Sequence, residues 1–91
     1  MTTPPLTLED RALIRQKPLR YWIQCALEQY FEEVEPDFVS NVYPFVQKEM
    51  DYALLVTVLK YARGNQSTAA KWLGLARGTV RKKLQEVGLE D

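Results

Sequence analysis

The chain has no histidine and a single cysteine, Cys25, and these scarcities exclude several kinds of chemistry. No Cys/His cluster is available for a structural zinc site, and one cysteine cannot form an internal disulfide. The densest carboxylates, "EEVEPD" at 32–37, read as a solvated run at a helix end rather than a catalytic pair. We therefore expect a protein that is not an enzyme and uses neither metal nor cofactor.

Long apolar runs are also missing. No segment approaches the roughly twenty residues that span a bilayer, and the opening "MTTPPLTLED" lacks the basic start and apolar stretch of a signal peptide. Ninety-one residues with 46% hydrophobic content predict one small domain, of a size at which chains often associate. We expect a soluble, cytoplasmic protein with no membrane partner.

Carboxylates are absent from 52–85, although the net charge of the whole chain is zero. This segment holds seven cations, and the remainder holds five cations and twelve anions, so the two parts carry formal charges of +7 and −7. A polyanion responds to the local field rather than to the total charge. The segment is either a solvated charged face or a nucleic-acid-binding surface.

Residues 1–18 contain three prolines and no sustained helical period, which predicts a flexible or irregular N-terminal arm. Apolar residues from Leu19 to Val34 then recur at steps of three and four, which predicts a helix that ends before Pro36. A second helix is predicted from Ser40 or Asn41 to about Ala62.

The segment "ALLVTVL" at 53–59 is apolar on almost every side, and a single small chain cannot cover it. We therefore expect residues 19–62 to form a two-helix core shared between two chains of a homodimer. The predicted dimer core comprises Trp22, Ile23, Leu27, Tyr30, Phe31, Leu54, Leu55 and Val58.

Residues 63–91 predict a helix-turn-helix. A short helix from about Gln66 to Leu73 and a last helix from about Ala76 to Val87 are separated by Gly74. The small side chains of Ala69 and Ala70 allow a close crossing of the two helices. No alternating β pattern is present, so the fold class is all-α with four helices.

The last helix has the arrangement needed in a major groove. Val80 and Leu84 point inward, while the remaining positions are largely cationic. Arg77, at the start, is suited to bidentate reading of guanine, and Gly78 allows close approach to DNA. Asn65, Ser67 and Thr68 begin the preceding helix, where free backbone N–H groups bind phosphate.

The segment "GNQSTAAKWLGLARGTVRKKLQEVGL" at 64–89 resembles the C-terminal motif of the Fis family of bacterial nucleoid-associated, DNA-bending proteins. The C-terminal domains of NtrC-type activators share this motif. "QKPLR" at 16–20 and "ALEQYF" at 26–31 are similar to Fis alone. A detached NtrC-type domain and a pure dimerisation or protein-interaction module are the alternatives.

The resemblance implies an intertwined homodimer that binds and bends double-stranded DNA, regulates transcription and associates with the nucleoid. RNA polymerase or a recombinase is a candidate protein partner, although the short arm argues against recombinase stimulation. By this resemblance the DNA contacts are Asn65, Ser67, Arg77, Thr79, Arg81, Lys82 and Lys83, and cations suited to flanking DNA are Lys60, Arg63 and Lys71. Ala76 stands where the family often has Asn, which predicts loose sequence selectivity.

Overall fold

Five α-helices make up most of residues 7–90, which are the residues that the computed structural model describes. The helices are α1 (Leu8–Gln16), α2 (Leu19–Glu33), α3 (Val42–Tyr61), α4 (Gln66–Leu73) and α5 (Arg77–Glu86), with a 3-10 turn at Pro36–Phe38. No strand occurs within 7–90, so the predicted all-α class is confirmed.

Helix α1 corrects the predicted irregular arm and adds a fifth helix to the four expected. Its start is a capping box: the Thr7 Oγ1 accepts from the Asp10 backbone N–H (3.0 Å), and the Asp10 carboxylate accepts from the Thr7 N–H (3.1 Å). These bonds satisfy N–H groups that a helix start otherwise leaves free. The first part of the predicted arm, residues 1–6, lies outside the described residues.

The backbone divides into two units, Met1–Val39 and Ser40–Asp91. In the first, α2 begins after Pro18 and ends at Glu33, close to the predicted positions. None of the described residues of this unit is buried in the single chain, including Phe31, which is 52% exposed. Cys25 is also exposed, and a hydrogen bond with its side chain raises the pKa of the Tyr21 hydroxyl.

The second unit contains the buried core. Leu55 of α3 packs with Ala70 of α4 and with Val80 and Leu84 of α5, and all four are at most 5% exposed. Around them lie three partly buried residues, Leu59, Leu73 and Val87. Helices α3, α4 and α5 are therefore held together by apolar packing within one chain.

This core changes the interpretation of Leu55. The sequence pattern assigned it to the dimer core, whereas it is only 2% exposed inside its own chain and cannot be covered further by a partner. The difference arises because α3 is apolar on several sides, so periodicity alone does not tell which side faces α4 and α5. Its neighbour Leu54 is 49% exposed and remains available for association.

The predicted division into 19–62 and 63–91 assumed that residues 19–62 form a core shared by two chains. Within one chain, α3 instead groups with α4 and α5. The dimerisation core therefore stays a prediction.

Candidate nucleic-acid interface

The start of α4 is organised by Asn65. Its side-chain Oδ1 accepts a hydrogen bond from the Thr68 backbone N–H at 3.0 Å, so Asn65 is the N-cap of the helix. Ser67 is exposed in the first turn, and Thr68 is half-buried. Of the three residues predicted to bind phosphate here, Asn65 has its side-chain oxygen engaged in the cap, Ser67 is exposed, and Thr68 is only partly exposed.

The turn between α4 and α5 depends on Gly74. This residue has φ 72°, in the left-handed region that favours glycine, and the Leu75 N–H donates to the Ala70 carbonyl at 3.0 Å. Ala69 and Ala70 are both buried, as close crossing of the helices requires. The turn thereby directs α5 away from the line of α4 and brings its apolar side onto the core.

Helix α5 has one buried side and one exposed side. Val80 is fully buried and Leu84 nearly so, while Arg77, Thr79, Arg81 and Lys82 are exposed. Arg77 is the first helical residue, where backbone N–H groups have no intrahelical partner. Helix α5 therefore carries exposed cations, the exposed Thr79 and free N–H groups at its start.

Two of the α5 cations are paired with carboxylates. Arg81 Nε lies 3.4 Å from Glu90 Oε1, and the Arg81 side chain is 66% exposed. Lys83 Nζ lies 3.3 Å from Asp51 Oδ2 on α3, and this lysine side chain is only 28% exposed. Within residues 7–90, neither Arg77 nor Lys82 has an ion pair.

Sequence reasoning missed Asp51, Gln66 and Glu90. Asp51 precedes Lys83 by 32 positions, and Gln66 donates to Glu90 across 24 positions at 3.1 Å. No spacing rule for a helix face connects residues so far apart. Only the packing of α3, α4 and α5 brings them together.

The predicted flanking cations lie at the ends of their elements. Lys60 is in the last turn of α3, with its Nζ 5.8 Å from the centre of the Tyr61 ring. Arg63 lies in the following turn with φ 55°, and Lys71 is in the last turn of α4. All three cations are exposed.

The described part of the chain contains no group of three or more His, Cys, Asp or Glu residues arranged to hold a metal ion. None of its helices is both long and apolar enough to cross a membrane.

The sequence of α4 and α5 matches a known protein family. The family described as "Bacterial regulatory protein, Fis family" matches residues 47–86, which cover most of α3 and all of α4 and α5. The match extends further in individual relatives. DNA-binding protein Fis from Pectobacterium carotovorum is 42% identical over 83 residues, or 91% of this chain and 85% of the relative.

The chain belongs to the Fis family.

Other Fis proteins support the same assignment. DNA-binding protein Fis from Vibrio atlanticus is 39% identical over 89 residues, covering 98% of this chain and 89% of the relative. The Fis protein of Yersinia enterocolitica is 41% identical over 83 residues. These Fis matches extend over nearly the whole chain, so they include more than the helix-turn-helix.

Proposed function

We propose that this Fis-family chain is a DNA-binding regulator that binds double-stranded DNA as a homodimer. Each chain inserts α5 into the major groove, with Arg77 at base edges and nearby cations on phosphates. The observation that carries the proposal is the two-sided character of α5. Val80 and Leu84 anchor it to the core, while Arg77, Arg81 and Lys82 project from its exposed side.

The start of α4 supports the same function. Its exposed Ser67 hydroxyl and first-turn N–H groups are suited to a phosphate oxygen, and the Asn65 cap holds this end of the helix in place. Lys60, Arg63 and Lys71 are proposed to bind the flanks of a longer duplex. Lys83 is proposed to contribute less directly than Lys82, because its ammonium group already donates a hydrogen bond to Asp51 Oδ2.

Homodimerisation is supported by exposed apolar side chains. Met50, Leu54 and Val56 of α3 are each at least 40% exposed in one chain, and α2 has no buried residue. Burial of such apolar surface against a second copy would stabilise a dimer. The proposed dimer core comprises Trp22, Ile23, Leu27, Tyr30, Phe31, Leu54 and Val58.

Family resemblance further supports DNA bending and a cytoplasmic location on the nucleoid, while Ala76, where the family often has Asn, supports loose sequence selectivity. RNA polymerase and a recombinase stay predicted partners, with no contact residue assigned. The alternative of a detached NtrC-type domain loses support because Fis relatives match over 91–98% of the chain. A pure protein-interaction module leaves the exposed cations of α5 unexplained.

The direct test compares Arg77→Ala with Arg11→Ala, which removes the same side chain from α1. Binding to guanine-containing duplexes is measured by fluorescence anisotropy at fixed salt. Arg77→Ala should cost roughly 1 to 3 kcal/mol per half-site, mainly on sites containing guanine, because a bidentate contact is lost. Arg11→Ala should change affinity little. Equal affinities for wild type and Arg77→Ala would refute the role of α5 as reader.

A further inference from the structure

Glu90 links the two helices of the helix-turn-helix through a single carboxylate. Its Oε2 accepts a hydrogen bond from Gln66 Nε2 at 3.1 Å, and its Oε1 lies 3.4 Å from Arg81 Nε. Gln66 is the first residue of α4, whereas Arg81 lies in the middle of α5. Glu90 itself follows α5 and lies outside the segment that lacks carboxylates.

The two ion pairs of α5 differ in how readily another anion can replace the carboxylate. The Lys83–Asp51 pair is largely enclosed, with side chains 28% and 16% exposed, and it joins α5 to α3 as part of the fold. In the other pair the Arg81 side chain is 66% exposed and the Glu90 side chain is 28% exposed, with 3.4 Å between Arg81 Nε and Glu90 Oε1. An ion pair with one partner this exposed is weak and is screened by salt, so another anion can replace the carboxylate.

We propose that Glu90 competes with a DNA phosphate for Arg81 and thereby lowers the affinity of the helix-turn-helix for DNA. The inference rests on the proposed function and identifies a residue that sets the affinity of that same surface. Carboxylate and phosphate both accept hydrogen bonds from guanidinium, so they compete for the same donors. Gln66 holds the carboxylate close to Arg81 even after a phosphate has replaced it.

This placement has two consequences for binding. The negative charge of Glu90 repels the incoming phosphate, which raises the dissociation constant at low salt. When Arg81 turns to DNA, the freed carboxylate also takes up a cation, so fewer counterions are released overall than the phosphate contact alone would give. The wild-type chain therefore has a weaker salt dependence than its exposed cations predict.

The test is Glu90→Gln, which removes the charge and keeps an oxygen that can accept from Gln66. Affinity for a guanine-containing duplex is measured from 50 to 300 mM salt, and thermal unfolding is measured in parallel to verify the fold. Affinity should rise about two- to fivefold per half-site at low salt, since an exposed pair is worth at most a factor of this size. The slope of log affinity against log salt should steepen by up to about one per subunit.

Glu86→Gln is the matched control, because Glu86 is an exposed carboxylate of α5 with no ion pair in residues 7–90. Glu86→Gln should change the logarithm of the affinity by less than half as much as Glu90→Gln does. In an Arg81→Ala background, Glu90→Gln should lose most of its effect, as a competitor acting through Arg81 requires. The two measurements separate competition for Arg81 from a general change in charge.

Three results would overturn the inference. Unchanged affinity in Glu90→Gln would mean that the pair has no influence, and weaker binding would mean that Glu90 orients Arg81 for DNA. An equal gain in Glu86→Gln would indicate charge alone. Each of these leaves the proposed function intact if wild type binds, whereas a wild-type chain that binds no duplex at any salt would refute the proposed function itself.

Discussion

At the scale of single residues, the cations of α5 fall into two groups. Arg77 and Lys82 are exposed and lack ion pairs within residues 7–90, while Arg81 and Lys83 face Glu90 and Asp51. The family resemblance placed both Lys82 and Lys83 at DNA-contacting positions and did not distinguish them. Their surroundings make them different.

This difference predicts distinct effects of Lys82→Ala and Lys83→Ala. Lys82→Ala should reduce the slope of log affinity against log salt by about one per subunit, because a phosphate contact is lost. Lys83→Ala should change the slope less and lower the free energy of unfolding by about 1 kcal/mol, because Asp51 loses its partner in a half-enclosed site. Salt titrations and chemical denaturation measure the two quantities.

A control for Lys83 is available in Asp51→Asn. If the ion pair is the cause, Lys83→Ala should destabilise the Asp51→Asn protein less than it destabilises wild type. Equal loss of salt dependence in the two lysine variants would contradict the distinction.

Sequence reasoning succeeded for some single residues and failed for others. It identified the exposed cations of α5 and the inward positions of Val80 and Leu84, because both follow from helical periodicity. It could not identify Glu90 or Asp51 as partners, because those contacts depend on how separate segments pack. The ion pairs of charged side chains are tertiary information.

At the scale of elements, Pro and Gly positions predicted most helix ends to within about two residues. Gly74 ends α4, and Pro36 follows α2. Helix α1 was missed, although "TLED" at 7–10 contains a capping signal, because its short length and flanking prolines obscured it. The hydrogen bonds of the capping box stabilise the start of this helix even though its apolar pattern is weak.

Two glycines of the helix-turn-helix should respond to alanine in opposite ways. Neither has an atom within 4 Å of an added Cβ, so backbone conformation decides the outcome. Gly74→Ala should lower the free energy of unfolding by about 1 kcal/mol, because φ 72° is unfavourable for alanine. Gly78→Ala should raise it by up to about 0.5 to 1 kcal/mol, because Gly78 is the second residue of α5 and alanine favours the helical backbone.

Chemical denaturation of both variants tests this pair, and DNA binding of Gly78→Ala adds a functional readout. If the α5 backbone approaches DNA closely at Gly78, affinity should fall even though stability rises. A destabilised Gly78→Ala, or an unchanged Gly74→Ala, would contradict the conformational argument.

At the scale of the whole molecule, the sequence predicted the all-α class and the apolar excess of α3. It could not predict how that excess is divided, because α3 offers apolar side chains in several directions. Leu55 is buried against α4 and α5, whereas Leu54 is half exposed. One helix thus contributes to the core of its own chain and also leaves apolar side chains exposed.

The proposed homodimer predicts that the melting temperature rises with protein concentration, because dissociation would accompany unfolding. Leu54→Asp should make the melting temperature depend more steeply on protein concentration or should produce a monomer, since a charge would be placed in the proposed interface. Leu55→Ala should instead lower stability by about 2 to 5 kcal/mol through a cavity in the chain's own core. A concentration-independent melt with a monomeric mass would exclude the dimer.

The central claim is that a homodimer binds DNA through two α5 helices and bends it. Family resemblance implies recognition helices closer together than the roughly 34 Å of one turn of straight DNA, so the duplex must narrow its central minor groove and curve. Bending by 40 to 90° costs on the order of 1 to 6 kcal/mol, and A·T-rich centres deform most easily. Flank contacts by Lys60, Arg63 and Lys71 would offset part of this cost.

The most direct measurement is an energy-transfer titration with end-labelled duplexes that share outer guanines and differ only in A·T or G·C central base pairs. One titration reports both affinity and bend angle. We predict that two chains bind each duplex, that both duplexes bend, and that the A·T centre binds more tightly. Equal affinity for the two centres, with straight DNA in both complexes, would contradict the account.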